Sequence, residues 1–233
     1  YLKLPTENVF IKRFKEDLSE NIDTWSDLEK EIGEYTKKFS KAESKEFISL
    51  IDDIQDALAE YLKLEQDLFD PYIPNVNLIY DDLFNPGKYF TEKEKSYIET
   101  FMRKHKDSVY ELEVIIFNYT NTFEKIIDWK GRRITASSHS GSSRSYENVI
   151  KNVEHIHGTV DKDMLMGVND LSQISNFDFR DNLEINETLV KPKMNELTGS
   201  YREENCEKAI SQSDIICIFG MSLGITDKKW WEL

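Results

Sequence analysis

Apolar residues recur along the first third of the chain at steps of three and four, the spacing of one helix face. In "TWSDLEKEIGEYTKKF" they are Trp25, Leu28, Ile32, Tyr35 and Phe39. In "SKEFISLIDDIQDALAEYLKLEQDLF" they are Phe47, Ile51, Ile54, Leu58 and Tyr61. Polar residues fill the positions between, so two amphipathic helices are predicted. "TENVFIKRFKEDL" starts with Thr6 and Glu7 after Pro5, a further helix-start signal. Thr91 followed by Glu94 is a capping box and predicts a helix through "TEKEKSYIETFMRKH". "DPYIPNVNLIYDDLFNPGKYF", rich in Pro and Asn, predicts a long irregular connection.

After about residue 109 the pattern changes. "LEVIIFNY" and "IICIFGMSLG" are short continuous apolar runs, as expected of parallel strands buried on both faces. "NVEHIHGTV" alternates with a strand period, and "DMLMGVND" fits another short strand. The serines of "RRITASSHSGSSRSYENV" predict a mobile loop. "REENCEKAISQSD" predicts a helix, and "TDKKWWEL" opens the next, capped by Thr226 or Asp227. Strand–helix alternation predicts a single α/β domain over 1–233 with a mostly parallel sheet. A helical insertion or cap is expected over about 7–107, and the sheet-forming part over about 109–233. The chain starts at Tyr1 and stops inside a predicted helix, which is expected of a piece of a longer protein.

Composition narrows the partners. The 233 residues are 39% hydrophobic and 12% aromatic, enough for a packed core. Net charge is −14 and the sequence pI about 4.8, which disfavours binding to a phosphate backbone. Cys206 and Cys217 make no CxxC pair, so neither a cysteine zinc site nor a disulfide scaffold is expected. That usage fits a reducing, cytoplasmic compartment. No apolar run has the length to span a bilayer.

In an open parallel sheet, ligands sit beyond the carboxyl ends of the strands. Three polar clusters fall at predicted strand ends: "FNYTNT", "HIHG" and "FGMSLGITD". Asn118 offers an amide donor and a carbonyl acceptor, fit to hold a ribose hydroxyl or orient a water. It fits equally a turn residue bonding local backbone. Asn121 and Thr122 suit the cap of the next helix, with Glu124 near its positive end. His155 and His157 flank Ile156 and in a strand would share a face. No further ligand cluster completes a metal site around them, so no metal is predicted. His157, before Gly158, suits a general base, and suits as well a hydrogen-bonded strand-end histidine. Gly158 permits close backbone approach by a ligand. Gly220, Ser222 and Gly224 join a strand to a helix whose start favours negative charge, with Asp227 as cap or ligand contact. This is neither a GxGxxG fingerprint nor a P-loop. Trp25, Asp27 and Glu29 are in reach of a site only if their helix packs over it. Glu29 is expected to be solvated, and Trp230 and Trp231 to be packing residues.

In order along the chain, "LPTENVF", "WSDLEKEI", "FNYTNTFEKI", "HIHGTV" and "IFGMSLGITDKKWW" resemble the AbiH family of bacteriophage abortive-infection proteins. The family's "GNGFD"-like glycine turn, expected just before the "LPT" segment, is absent. AbiH is in turn similar to sirtuin-like domains, which bind NAD in a Rossmann-like fold and hydrolyse it in bacterial defence. That resemblance implies a Rossmann-like, sirtuin-like sheet with a large helical insertion. It places Asn118 and Tyr119 on an "NYD" motif whose Asp is here Thr120. His157 and Gly158 fall on the "HG" motif, and Gly220 and Ser222 on the late nucleotide loop. It implies NAD as substrate or ligand, Asn118 and His157 as catalytic, and Tyr119, Gly158, Gly220, Ser222 and Asp227 as binding residues. The four-cysteine zinc module of sirtuin deacetylases is missing, which argues against a deacetylase. The alternatives are a sensor of a nucleotide or a phage protein and, behind both, a nuclease. A homo-oligomer fits the resemblance; a membrane partner does not.

Overall fold

The computed structural model describes residues 12, 16, 25–71, 75–220 and 227–233, with 25–27 described by backbone alone. In chain order the elements are helices α1 (Trp25–Tyr35), α2 (Ser44–Leu68), α3 (Val76–Phe84) and α4 (Glu92–Lys104). Strand β1 (Tyr110–Ile116), helix α5 (Thr122–Ile127) and strands β2 (Ile134–Ser140) and β3 (Ser145–His155) follow. Helices α6 (Phe177–Arg180), α7 (Leu183–Leu189), α8 (Lys191–Thr198), α9 (Arg202–Gln212) and α10 (Lys228–Trp231) complete the chain. They form two compact units. The first takes in the described residues of Tyr1–Asp67, Phe117–Thr120 and Ile156–Leu233. The second takes in those of Leu68–Ile116 and Asn121–His155.

The first unit is built on the two periodic helices. Leu28, Ile32, Tyr35 and Phe39 are buried, as their spacing predicts, and so are Phe47, Ile51, Ile54 and Leu58. Tyr61 departs from its stripe and is exposed. The face meets Met164, Met166, Val168, Phe179, Ile185 and Leu189 from the second half of the chain. Phe47 sits between Phe39 and Phe179, with ring centroids 5.2 and 5.4 Å away. Asn176 fastens the end of α1: its backbone N–H donates to Thr36 Oγ1 (3.0 Å) and its amide to the Phe39 carbonyl (2.7 Å). These bonds satisfy groups that a helix terminus leaves open.

The second unit holds a three-stranded sheet in the order β1-β3-β2. β1 runs parallel to β3, and β2 antiparallel to it. The α/β class agrees with the sequence pattern, but the sheet is small and mixed rather than mostly parallel. The Ser-rich stretch causes the difference. Ile134, Ala136 and His139 are half-buried along β2, whose register shifts between Thr135 and Ser137, the residues between them are exposed, and in the turn Gly141 N–H donates to the Arg144 carbonyl. That alternation makes a hairpin in place of a mobile loop. Tyr80 and Phe84 of α3 and Ile127 of α5 pack with Ile150 of β3. Helix α3 lies inside the predicted irregular connection. Asn75, one of the asparagines behind that expectation, caps it by accepting from the Asn77 N–H at 3.1 Å. The capping box of α4 forms as predicted, with Thr91 and Glu94 bonded reciprocally.

Two predicted strands do not form among the described residues. "DMLMGVND" is buried but irregular, with an isolated parallel bridge between Val168 and Val190. The run 215–219 is not a buried strand: Ile216 is 58% exposed and Phe219 95%. No described strand pairs with it, and a parallel strand is buried only by neighbours on its edges and faces. The predicted helix over "TENVFIKRFKEDL" lies outside the described residues, apart from residues 12 and 16.

Phe47→Ala removes the ring at the centre of the first unit and should lower its unfolding free energy by about 3–5 kcal/mol. Urea denaturation checks this; a loss of under about 1 kcal/mol would show that the Phe39–Phe47–Phe179 contact is not central to the core.

Candidate functional site

Five polar side chains meet inside the first unit, each delivered by a different element. Glu29 lies on α1, one residue after Leu28 and three before Ile32, and so shares their buried face. Its carboxylate is fully occupied. Oε2 accepts from Lys191 Nζ at 2.7 Å. Oε1 accepts from the Tyr119 hydroxyl at 3.2 Å and the Gly167 N–H at 3.4 Å. Lys191 is the first residue of α8. Its backbone N–H donates to the Val168 carbonyl (2.9 Å), and the Val168 N–H donates to the Leu189 carbonyl (2.8 Å). Gly167 permits this approach, because a Cβ there would collide with the Leu189 carbonyl oxygen.

His157 and Asp227 complete the cluster. β3 ends at His155, so the strand alternation stops there, and His157 sits in the turn that follows. The two histidines therefore take separate partners. His155 Nε2 lies 2.6 Å from Glu124 Oε1 in the second unit. His157 Nε2 lies 2.9 Å from Asp227 Oδ1. Lys191 Nζ is 3.3 Å from the same oxygen and 3.5 Å from His157 Nε2. The side chains of Lys191, Glu29 and His157 are 2%, 4% and 5% exposed, and that of Asp227 17%. Phe117 packs edge-on to the imidazole and against Trp230 and Trp231. His157 Nδ1 is buried, with no hydrogen-bond partner among the described residues.

Burial disfavours the imidazolium, and the Lys191 ammonium beside it adds repulsion. Together they outweigh Asp227 and hold the His157 pKa below its ordinary value of 6.5. For Asp227 burial opposes ionisation, but the His157 hydrogen bond and the Lys191 charge outweigh it, leaving its pKa below the ordinary 3.8. The site thus combines an oriented, neutral imidazole with an ion pair sealed from water. Such perturbed groups recur where chemistry is done. Among the described residues no group of three or more His, Cys, Asp and Glu side chains is placed to hold a metal ion. Here the Lys191 ammonium supplies the positive charge between the two carboxylates.

The expected residues divide as follows. His157 and Asp227 come together. Tyr119 points inward, its hydroxyl 3.2 Å from Glu29 and 3.0 Å from the Leu165 carbonyl oxygen. Asn118, its neighbour, is exposed. Gly158 has φ 70°, and a Cβ there would collide with the Asp163 carbonyl oxygen, so the close approach is made by the chain itself. Gly220 has φ 64°, and a Cβ there would meet no atom of the described residues within 4 Å. Ser222 and Gly224 lie outside the described residues. Glu29 is not solvated as expected but deeply buried, because its place beside Leu28 puts it on the inner face. Lys191 carried no motif; its signal was a lone lysine closing the apolar "TLV" run.

The family model for bacteriophage abortive infection AbiH matches residues 1–233, the whole chain. The chain belongs to the AbiH family. No curated protein and no solved structure matches it. Four of the stretches that resembled AbiH each supply one residue of the cluster: "WSDLEKEI" Glu29, "FNYTNTFEKI" Tyr119, "HIHGTV" His157 and "ITDKKWW" Asp227. Among the described residues of this AbiH chain, no helix is long and apolar enough to cross a membrane.

Two measurements probe the cluster. Lys191→Met leaves Glu29 buried and uncompensated and should lower stability by about 3–5 kcal/mol, whereas Glu29→Gln with Lys191→Met should recover much of the loss. Acid should also weaken the fold. As pH falls through 6.5 the unfolded histidine takes up a proton before the folded one. The contribution of His157 is therefore complete above 6.5, declines below it, and levels off under the folded pKa. Urea midpoints between pH 8 and 5 should show this decline, with a smaller slope in His157→Gln.

Proposed function

We propose that this AbiH protein acts in abortive infection by binding and hydrolysing NAD or a related nucleotide, with His157 and Asn118 as the catalytic pair. In this reading His157 contacts or deprotonates a ribose hydroxyl, and Asn118 positions ribose or water. Tyr119, Gly158, Gly220, Ser222 and Asp227 are the binding residues of this reading. The sheet belongs to a Rossmann-like, sirtuin-like layer, of which β1 and β3 supply a parallel pair. The bond to nicotinamide breaks with its electron pair leaving on the ring nitrogen. Water adds at the anomeric carbon, and one proton is released. The transition state has oxocarbenium character, so oriented and preorganised groups suffice.

The observation that carries the reading is the buried Asp227–His157 pair with an unpartnered ring nitrogen. A buried polar atom with no partner costs stability, and a site that needs it is one reason for its persistence. The second reading, a sensor of a nucleotide or phage protein without turnover, is favoured by the depth of His157, 5% exposed. A nuclease fits less well with a net charge of −14.

The test is NAD content in extracts of infected and uninfected cells carrying the protein, beside His157→Ala and Asn118→Ala. Infection-dependent loss of NAD should fall at least about a hundredfold in His157→Ala, the usual scale for a general base. Unchanged NAD with phage protection intact would sink hydrolysis and leave the sensor.

A further inference from the structure

The state of the imidazole that His157 offers to a ligand depends on a residue absent from every motif. Lys191 Nζ lies 2.7 Å from Glu29 Oε2, 3.3 Å from Asp227 Oδ1 and 3.5 Å from His157 Nε2. An ammonium only donates and a carboxylate only accepts, so these contacts restrict where the imidazole proton can sit. With the proton on Nδ1, a bare Nε2 would face Asp227 Oδ1 at 2.9 Å, lone pair against lone pair. The Nδ1–H would then be buried without an acceptor. With the proton on Nε2, that N–H donates to Asp227, and Nδ1 is left as a vacant acceptor. A stranded donor is the rarer and more costly defect. The shorter contacts of Lys191 are to Glu29 and Asp227; its approach to Nε2, at 3.5 Å, is longer than the 2.9 Å to Asp227, and its charge repels a second proton on the ring.

We propose that Lys191 and Glu29 are positioning residues for His157: the ammonium, anchored by Glu29, keeps the ring to a single proton, Asp227 holds that proton on Nε2, and Nδ1 is left as the atom that accepts from a hydroxyl-bearing ligand. This rests on the reading of His157 as the catalytic group and names the nitrogen that does the work. Glu29 acts through Lys191. Its second oxygen is held by Tyr119 and Gly167, so the ammonium cannot swing away without stranding a carboxylate. The groups that face the imidazole are Asp227 before α10, Lys191 of α8, with Glu29 of α1 behind it, and the apolar ring of Phe117. When a ligand hydroxyl reaches Nδ1, its proton passes to that nitrogen and its oxygen keeps the electron pair. The resulting imidazolium remains bonded to Asp227 through Nε2–H. Burial keeps bulk water from Nδ1, so the ligand must displace the groups that cover it.

Imidazole nitrogen NMR of the full chain tests this without any turnover. The expected result is the Nε2–H tautomer for His157, titrating below the ordinary histidine range. Glu29→Gln with Lys191→Met removes both charges and strands neither, so the fold is kept; there the titration should move upward. Lys191→Arg retains the charge and should keep it low. An Nδ1–H tautomer, or a titration that the double variant does not move, overturns the positioning role even if NAD is consumed. The expected tautomer and titration with NAD untouched would uphold the positioning role and show that the ligand is not NAD.

Discussion

Glu29 and Lys191, an acid and a base taken out of water together, constrain the first unit more than any other contact. Each alone inside the core would be unaffordable; as a pair they are tolerated only when every oxygen and proton has a partner. Meeting that condition places α1, the turn after β1, the segment around Gly167 and the start of α8 within hydrogen-bond reach of one another. Aliphatic residues of similar volume would hold the fold as well or better, since a buried ion pair adds little net stability. Its presence beside an oriented histidine is therefore better explained by what it does to that histidine.

The helix faces were the most legible part of the sequence. Steps of three and four named most of the buried positions of α1 and α2, because water rejects apolar side chains wherever the helix turns them inward. His157, after a predicted strand, and Asp227, at a predicted helix start, stood out in the sequence as polar residues, and the fold brings them within 2.9 Å. Glu29 was misjudged because an acid in a run of acids looks solvated; only its angular place beside Leu28 gave it away. Lys191 was invisible, as its role arises solely from residues far off in the chain. The serine hairpin was misread because a count of small polar residues outweighed the alternation of Ile134, Ala136 and His139. The run 215–219 reads as a buried strand and is exposed, since composition states what a segment tolerates and not whether a neighbour reaches it.

Chain tracing matters as much as chemistry here. The first unit is assembled from separate stretches, among them the four residues Phe117–Thr120 that follow β1. The chain passes directly from the ends of β1 and β3, in the second unit, into residues assigned to the first. The cluster draws on residues from Glu29 to Asp227, so no short segment of the chain contains it.

The 162 positions between Glu29 and Lys191 have a further consequence, in time. Synthesis at roughly 5–20 residues per second separates the two by about 8 to 32 seconds. Until Lys191 leaves the ribosome, Glu29 has no counter-charge and the inner face of α1 cannot close over it. Asp227 arrives later still. A nascent chain therefore lacks the assembled cluster until Asp227 has been made.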